Sequence, residues 1–365
     1  MSEWQTFCLK DLGKIVGGAT PPTNNPKNYG NKIAWITPKD LSTLQGRYIK
    51  KGSRSISRLG FKSCSCVLLP KHAILFSSRA PIGYVAIAEK RLCTNQGFKS
   101  IIPNKKIYFE FLYYLLKYHK DNISNIGGGT TFKEVSGATL GLFQVKIPPT
   151  YYEQQKIART LSVLGQKIEN NHKINELLHN FAHKVYEYYF KYKPKNAKLE
   201  QIIIENPKSS IMVKNAQKTQ DKYPFFTSGD NTLSYPKAII DGRNCFLNTG
   251  GNAGIKFYVG KASYSTDTWC ICANEFSDYL YLLLSSIKTH INQSFFQGTS
   301  LKHLQKNLLK KYPIYMPSAH EIKKFNQIIM PLLTLISINT RTSKKLEQIR
   351  DFLLPLLLKQ QVKPQ

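Results

Sequence analysis

The side chains in this sequence best placed to do chemistry are polar and basic residues set in turns. The chemistry they suit is hydrogen bonding and ion pairing with a polyanion, not bond making. Lys39 in TPKD and Arg79 in SSRAPIG carry cations that can reach a phosphate or a base edge. Asn95 and Gln96 in CTNQGF offer the paired donor and acceptor of an amide, which matches adenine. Thr130, Thr131 and Lys133 follow three glycines, whose missing side chains let a charged backbone come close. A second set lies near the other end: Asn248, Thr249, Asn252, Thr266, Asp267, Thr299, Ser300 and Lys302. Taken singly, each of these residues is equally at home in a plain turn.

Catalytic patterns are missing where they would be expected. GGNAG (250–254) lacks the spacing of a dinucleotide loop, and VGGATPPT (16–23) has no Lys-Ser/Thr to make a phosphate loop. Asn206-Pro207-Lys208-Ser209 opens like the adenine-methyltransferase element but has no aromatic to stack on a flipped base. A metal-dependent nuclease needs clustered carboxylates, and the 22 Asp and Glu form no such constellation. His172, His179 and His183 fall on a helix and read as its solvated face. Seven cysteines without a Cys-x-x-Cys read as reduced thiols, with Cys64/Cys66 and Cys270/Cys272 each facing one side if they lie in strands. The chain reads as non-catalytic, with no cofactor or metal of its own.

The charge agrees. Lys and Arg number 52, giving a net charge of +30, far beyond what solubility requires. Such a protein attracts nucleic acid at long range and binds it in a salt-dependent way. A Lys-rich solvated surface is the bland alternative. With 42% hydrophobic and 12% aromatic residues, the 365-residue chain can form two sizeable cores. No apolar run reaches membrane-span length, and MSEWQTFCLKDLGKI is not a signal peptide, so a cytoplasmic protein is expected.

These turns are placed by a repeat. Gly129-Thr130-Thr131-Phe132-Lys133 aligns with Gly298-Thr299-Ser300-Leu301-Lys302 at an offset of 169 residues. The same offset sets Ile147-Pro148 on Met316-Pro317, and one deletion later Glu153 falls on Glu321. Upstream, SSRAPIGYVAI faces NTGGNAGIKFY. After each Pro break comes a long helical pattern. Ile157, Leu161, Leu164, Ile168, Asn171 and Leu178 sit at heptad a/d spacing. Adding 168 gives Phe325, Ile329, Leu332, Ile336, Asn339 and Leu346. Matched seams of about 40 residues, or ~60 Å of helix, predict a coiled coil in which the two Asn fix register, the alternative being two amphipathic helices that pack on separate domains. Pro331 should kink the second helix or delay its start, and Pro355 should mark its bend or end.

The expected architecture is α+β. Residues 1–150 form one mixed domain of strands and loops, with a helix at 108–119. Residues 151–193 form a first helical spacer, 194–317 a second mixed domain, and 318–365 a second spacer. Strands are expected at KIAWITPKDL, CSCVLLPKHAILFSS and IGYVAIAEKRL, and again at YPFFTSGD, CFLNTGG, IKFYVGKASYS and WCICA, with a helix at SDYLYLLLSSIKTH.

On these residues the chain resembles a specificity (S) subunit of a type I restriction–modification system. The best carriers are ILFSSRAPIGYVAIAEKRLCTNQGF and GGGTTFKEVSGATLGLFQVKIPPTYYEQQKIARTL, with its Pro-Pro-x-x-x-Glu-Gln-x-x-Ile pattern at 148–157. The second copy, MPSAHEIKKF, keeps Pro317 and Glu321 but lacks the second Pro and the Gln. The resemblance implies two target recognition domains, each reading half of a bipartite double-stranded DNA site. It implies two helices that pack as an antiparallel coiled coil, set the gap and dock two methyltransferase (M) subunits, and restriction (R) subunits that join them. S-adenosylmethionine would then belong to the M subunits. A specificity subunit of another restriction class, with a fused methyltransferase–nuclease partner, fits the same residues. A scaffold binding RNA or a membrane surface lacks the aromatic and amphipathic motifs it would need.

Overall fold

The structure is a computed structural model that describes residues 3–129, 133–216 and 222–364. It divides into two compact units, residues 1–169 with 345–365, and residues 170–344. The division runs through two 40-residue helices, Tyr151–Phe190 and Ala319–Leu358. Each unit is therefore a mixed α+β domain together with a stretch of both helices.

In the first unit, a five-stranded sheet has the order Gly13–Gly17, Lys99–Pro103, Ile74–Ser78, Ile82–Ala88, Tyr48–Ile49. A three-stranded sheet follows Arg54–Ile56, Tyr29–Ile36, Cys93–Thr94. The helix Phe109–Asn125 covers the larger sheet. Its run Phe111–Leu116 is buried all round, as expected of an apolar helix inside a core. That core also takes Ile157, Ala158 and Leu161 of the first long helix and Leu354, Leu357 and Leu358 of the second. The strand Gln5–Cys8 pairs antiparallel with Gln144–Ile147, the last strand before the Pro break, and so closes the domain.

The second unit repeats the plan with fewer residues. A four-stranded sheet runs Ile204–Glu205, Thr268–Cys272, Arg243–Asn248, Ile255–Val259, and a three-stranded one Leu233–Tyr235, Tyr223–Phe226, Ser263–Tyr264. Its domain is closed by Ala197–Lys198 against Pro313–Ile314. One core joins the sheet, the helix Ser277–Ser286, Ala182, Tyr186 and Phe190 of the first long helix, and Ile322–Ile336 positions of the second.

Both long helices start by the same device. Thr150 Oγ1 accepts from the Glu153 N–H at 3.2 Å and donates to Glu153 Oε2 at 3.0 Å. Ser318 Oγ accepts from the Glu321 N–H at 3.3 Å, while the Ser318 N–H donates to Glu321 Oε2 at 3.0 Å. A capping hydroxyl with an acid three residues on is a reciprocal helix start, and it explains why Glu153 and Glu321 stay in phase. The Gln of the first copy, Gln154, is buried and joins the helix to its domain, accepting from the Tyr108 N–H at 2.7 Å. The second copy has Ile322 there, which packs instead in an apolar core.

Several local expectations change. Pro331 does not delay the second helix, which begins at Ala319, and Pro355 lies in its last turn. The segment Cys64–Leu68 is irregular, because Pro70 and the turn at His72 interrupt the run and the strand starts only at Ile74. Cys64 and Cys66 therefore do not share a strand face, whereas Cys270 and Cys272 do lie in a strand. The single helix expected at SDYLYLLLSSIKTH is two, Ser277–Ser286 and Lys288–Ser294. Ser286 donates its hydroxyl to the Leu283 carbonyl at 2.7 Å, the side-chain competition that ends helices. His172, His179 and His183 are half-buried, not a solvated face, and His179 Nδ1 lies 3.4 Å from the Tyr281 hydroxyl. Burial, with the nearby His183, pushes the His179 imidazole below its usual pKa.

Candidate nucleic-acid interface

In the first unit the turn residues converge. The strand Tyr29–Ile36 runs into a one-turn helix, Pro38–Ser42, whose second residue is the exposed Lys39. Asp40 accepts from the Thr37 N–H and the Ser53 N–H, each at 2.7 Å. Burial works against its charge, but these donors win and hold the carboxyl below its usual range. Asn95 donates its N–H to the Ile36 carbonyl at 2.9 Å and takes the Gly97 N–H on Oδ1 at 3.0 Å. That tight turn leaves Gln96 exposed, with its Oε1 accepting from the Thr20 hydroxyl. The Ser78 N–H and hydroxyl both donate to the Gly97 carbonyl, at 2.8 and 3.2 Å.

Arg79 follows at the end of the same strand and pairs with Glu134, which also takes Lys99 at 3.1 Å. The Gly128–Glu134 bridge closes the glycine turn against Arg79. Gly129 has a φ of 119°, a conformation that needs glycine. Thr130 and Thr131 lie outside the described residues. Lys133 is exposed. Lys39, Gln96, Thr20, Arg79, Lys99 and Lys133 thus surround one hydrogen-bonded cluster of turns.

The second unit builds an equivalent cluster. The Thr249 N–H and hydroxyl donate to the Asp267 carbonyl at 3.2 and 2.7 Å, the counterpart of Ser78 on Gly97. The Ser265 N–H donates to Phe226 O as Asn95 does to Ile36. Gly250 bridges His303 as Arg79 bridges Glu134. Gly298 has a φ of 140°, and a Cβ there would lie 2.4 Å from the Leu301 carbonyl, so this turn also requires glycine. Thr266, Thr299, Ser300, Lys302 and Asn252 are exposed around it, and the Gly251 N–H donates to the Lys302 carbonyl at 2.9 Å. Asn248 is different. It is buried, and its amide donates to the Asn252 carbonyl at 3.1 Å, which makes it a brace for the loop.

The bonding pattern gives a finer register than residue identity. The structural counterpart of Arg79 is Gly250, an offset of 171 (250 − 79), so the second unit has no arginine at this place. It also brings in residues that sequence reading passed over. Thr20, Ser78 and Lys99 in the first unit, and Ser228 and Lys256 in the second, bond directly to the clusters. The run VGGATPPT, which lacks the residues of a phosphate loop, supplies Thr20. A Cβ on Gly18 would lie 2.1 Å from the Asn95 carbonyl, so glycine lets this segment lie against the turn. No spacing rule in the sequence reveals these contacts, which join residues from 19 to 76 positions apart.

Along the long helices, the seam residues Ile157, Leu161, Ile168, Asn171, Phe325, Ile329 and Ile336 are buried. Leu164, Leu178, Leu332, Asn339 and Leu346 are half-buried. Within the second unit the two helices run antiparallel, since Asn171 meets Ser343 and Asn175 meets Asn339. Beside that seam, Ile174, Leu177, Phe181 and Tyr188 form a second, exposed apolar stripe at spacings of three, four and seven. Among the described residues, no helix is long and apolar enough to cross a membrane, and no cluster of three or more His, Cys, Asp or Glu could hold a metal ion.

Residues 1–180 and 195–348 match the sequence model of the type I restriction modification DNA specificity domain. The type I restriction enzyme MjaIX specificity subunit of Methanocaldococcus jannaschii is 32% identical over 408 aligned residues, covering 98% of this chain and 93% of that one. The HindI specificity subunit of Haemophilus influenzae is 30% identical over 177 residues, 46% of this chain and 38% of that one, a match about as long as one repeat. The crystal structure of a type I restriction–modification S subunit from M. genitalium shares the fold, with a TM-score of 0.65 at 17% identity, covering 98% of this chain and 96% of that one.

Proposed function

The chain belongs to the type I restriction–modification DNA specificity family, and on that premise we propose that its two units each read one half of a bipartite double-stranded DNA site. Residues 1–150 and 194–317 serve as the target recognition domains, and residues 151–193 and 318–365 as the helical spacers that fix the gap between half-sites. The observation that carries this reading is the pair of equivalent turn clusters, Ser78 on Gly97 and Thr249 on Asp267, each ringed by exposed polar and basic side chains. Two modest half-site interactions held on one spacer act at high effective concentration. The net charge of +30 supplies sequence-independent affinity and a fast search.

The base- and phosphate-contacting residues are Lys39, Arg79, Gln96, Thr130, Thr131 and Lys133 in the first half, and Asn252, Thr266, Thr299, Ser300 and Lys302 in the second. Asn95, Asn248 and Thr249 hold the turns that present them. The chain itself performs no catalysis. The exposed stripe from Ile174 to Tyr188 supports docking of methyltransferase subunits on the helices. Two such subunits bring S-adenosylmethionine and methylate adenine, restriction subunits join them, and the complex works in the cytoplasm.

A methylome by single-molecule sequencing, in the native strain and in one lacking this gene, tests the reading. Loss of N6-methyladenine from one bipartite motif with a fixed gap is the expected result. If no motif disappears while the partner methyltransferase is expressed, the reading fails.

A further inference from the structure

Arg54 opens the strand Arg54–Ile56 and is exposed. Its guanidinium lies 4.5 Å from the centroid of the Tyr29 ring, the closest cation–ring contact among the described residues. The ring is itself fixed. The Tyr29 hydroxyl donates to the Pro21 carbonyl at 3.0 Å, and Trp35 packs edge-on against it at 6.2 Å. Trp35 is buried, and its indole N–H donates to the Ala19 carbonyl at 3.0 Å. Arg47, Arg79, Arg243 and Arg350 all hold carboxylates, while Arg54 has no carboxylate partner among the described residues.

A stacked arginine keeps its planar donor edge free and has already lost much of its side-chain freedom. Binding through such a group costs less ordering entropy than binding through a free one. The position is also close to the turn cluster. Arg54 is the cross-strand partner of Trp35, and Trp35 pairs on its other side with Cys93, two residues before Asn95. The segment carrying Ala19 and Pro21 also carries Thr20, which bonds Gln96. In the second unit the equivalent pairing sets Leu233 opposite Phe225, with Ser263 on the far side. Leu233 has no donor to offer.

We propose that Arg54, held flat on Tyr29, is a specificity-determining residue of the first unit that presents its guanidinium edge to O6 and N7 of a guanine in the major groove. The proposal rests on the reading that this unit binds duplex DNA. A guanidinium matches that pair of acceptors with a rigid planar fork, which the point charge and flexible stem of a lysine do not reproduce. The two half-sites are then unlike: the first contains a guanine read by Arg54, and the second has an apolar contact at the matching place.

The test uses the full chain assembled with its methyltransferase partner. The probes are duplex oligonucleotides carrying the motif methylated in the native strain, with every single-base-pair variant. Arg54→Lys is expected to lose discrimination at one G·C pair of one half-site, on the order of ten- to hundredfold, with the salt dependence of binding unchanged. Tyr29→Leu should lose part of the same discrimination, and Tyr29→Phe, which keeps the ring, should lose little. If Arg54→Ala weakens all duplexes alike and lowers the salt slope by about one, Arg54 contacts a phosphate and the proposal is overturned. Unchanged discrimination in both Arg54 variants overturns it too. A wild-type complex with no preference for any bipartite duplex would instead sink the underlying reading.

Discussion

Asn339 donates from Nδ2 to Oδ1 of Asn175 at 3.0 Å. One helical turn away, Asn171 donates to the Ser343 hydroxyl at 3.1 Å. The two contacts are images of each other under the repeat, because adding 168 turns 171 into 339 and 175 into 343. Each helix thus carries the same two polar positions, and each position meets the other kind on its partner. Leucine at both 171 and 339 should leave the chain folded, since apolar seams are the more stable, but should loosen register. The check is the gap length in the methylome together with the number of methyltransferase subunits bound. One sharp, unchanged gap and unchanged stoichiometry in the double variant would count against register control by these residues.

The capping hydroxyls predict two separate losses. Thr150→Ala and Ser318→Ala should each cost about 1 kcal/mol, and the double variant should lose close to the sum, because the two caps share no partner. Chemical denaturation of the single and double variants measures this directly.

Glu321 adds a pH dependence. The Ser318 N–H, the Tyr315 hydroxyl and Lys193 hold its carboxyl down to about 2 against an unfolded value of 4.5. A depressed folded pKa means stability that is present above pH 4.5 and lost as pH falls towards 2. Glu321→Gln should therefore be less stable than the parent at pH 6, and the gap should shrink steadily below pH 4.5. A gap that stays constant down to pH 3 would show that the carboxylate charge does not matter here.

Arg47 is 3% exposed and ties three segments of the first unit together. Its Nε donates to Glu169 at 3.0 Å, and one terminal nitrogen reaches both Glu110 at 3.2 Å and the Ser162 hydroxyl at 2.6 Å. Burial works against its charge, but Tyr114, Glu169 and Glu110 more than offset that and raise its pKa. Arg47→Met strands two carboxylates and should destabilise this unit by about 3–5 kcal/mol. Adding Glu110→Leu and Glu169→Leu should recover much of the loss. Thermal melts of the single and triple variants decide whether the loss comes from stranded charge.

Lys117 points the other way. Burial, and the nearby Arg350, lower its pKa from 10.5 to about 8. A base with a depressed folded value binds fewer protons when folded, so stability should rise as pH climbs from 8 to 10.5. Lys117→Met should stabilise the chain at pH 7, on the order of 1–3 kcal/mol, and the advantage should vanish near pH 10.5. Equal melting temperatures at pH 7 would mean that the ammonium is well hydrated.

The parts of this protein legible in its sequence are those set by local chemistry and by repetition. Gly129 and Gly298 stand where the backbone demands glycine. Thr150 with Glu153, and Ser318 with Glu321, start helices whatever surrounds them. The heptad seam follows from the spacing of apolar residues, and with the Pro breaks it marks where the helices Tyr151–Phe190 and Ala319–Leu358 begin, though not where the second one ends. The duplication itself implied two domains of one plan, and the family resemblance came with it.

Tertiary structure decided what depends on segments distant in the chain. Thr20 beside Gln96, Ser78 on Gly97 and Thr249 on Asp267 are contacts between strands whose pairing no local pattern specifies. Asn248 has the side chain of a base reader, but the fold buries it and spends its side-chain amide on the Asn252 carbonyl. In the sequence Arg54 is one cation among 52, and only the fold sets Tyr29 beneath it. Charge and spacing are properties of the chain and survive in any fold. Which donor stays free and which is consumed is settled only when distant segments pack, since each hydrogen bond is made with whatever group the fold brings within about 3 Å.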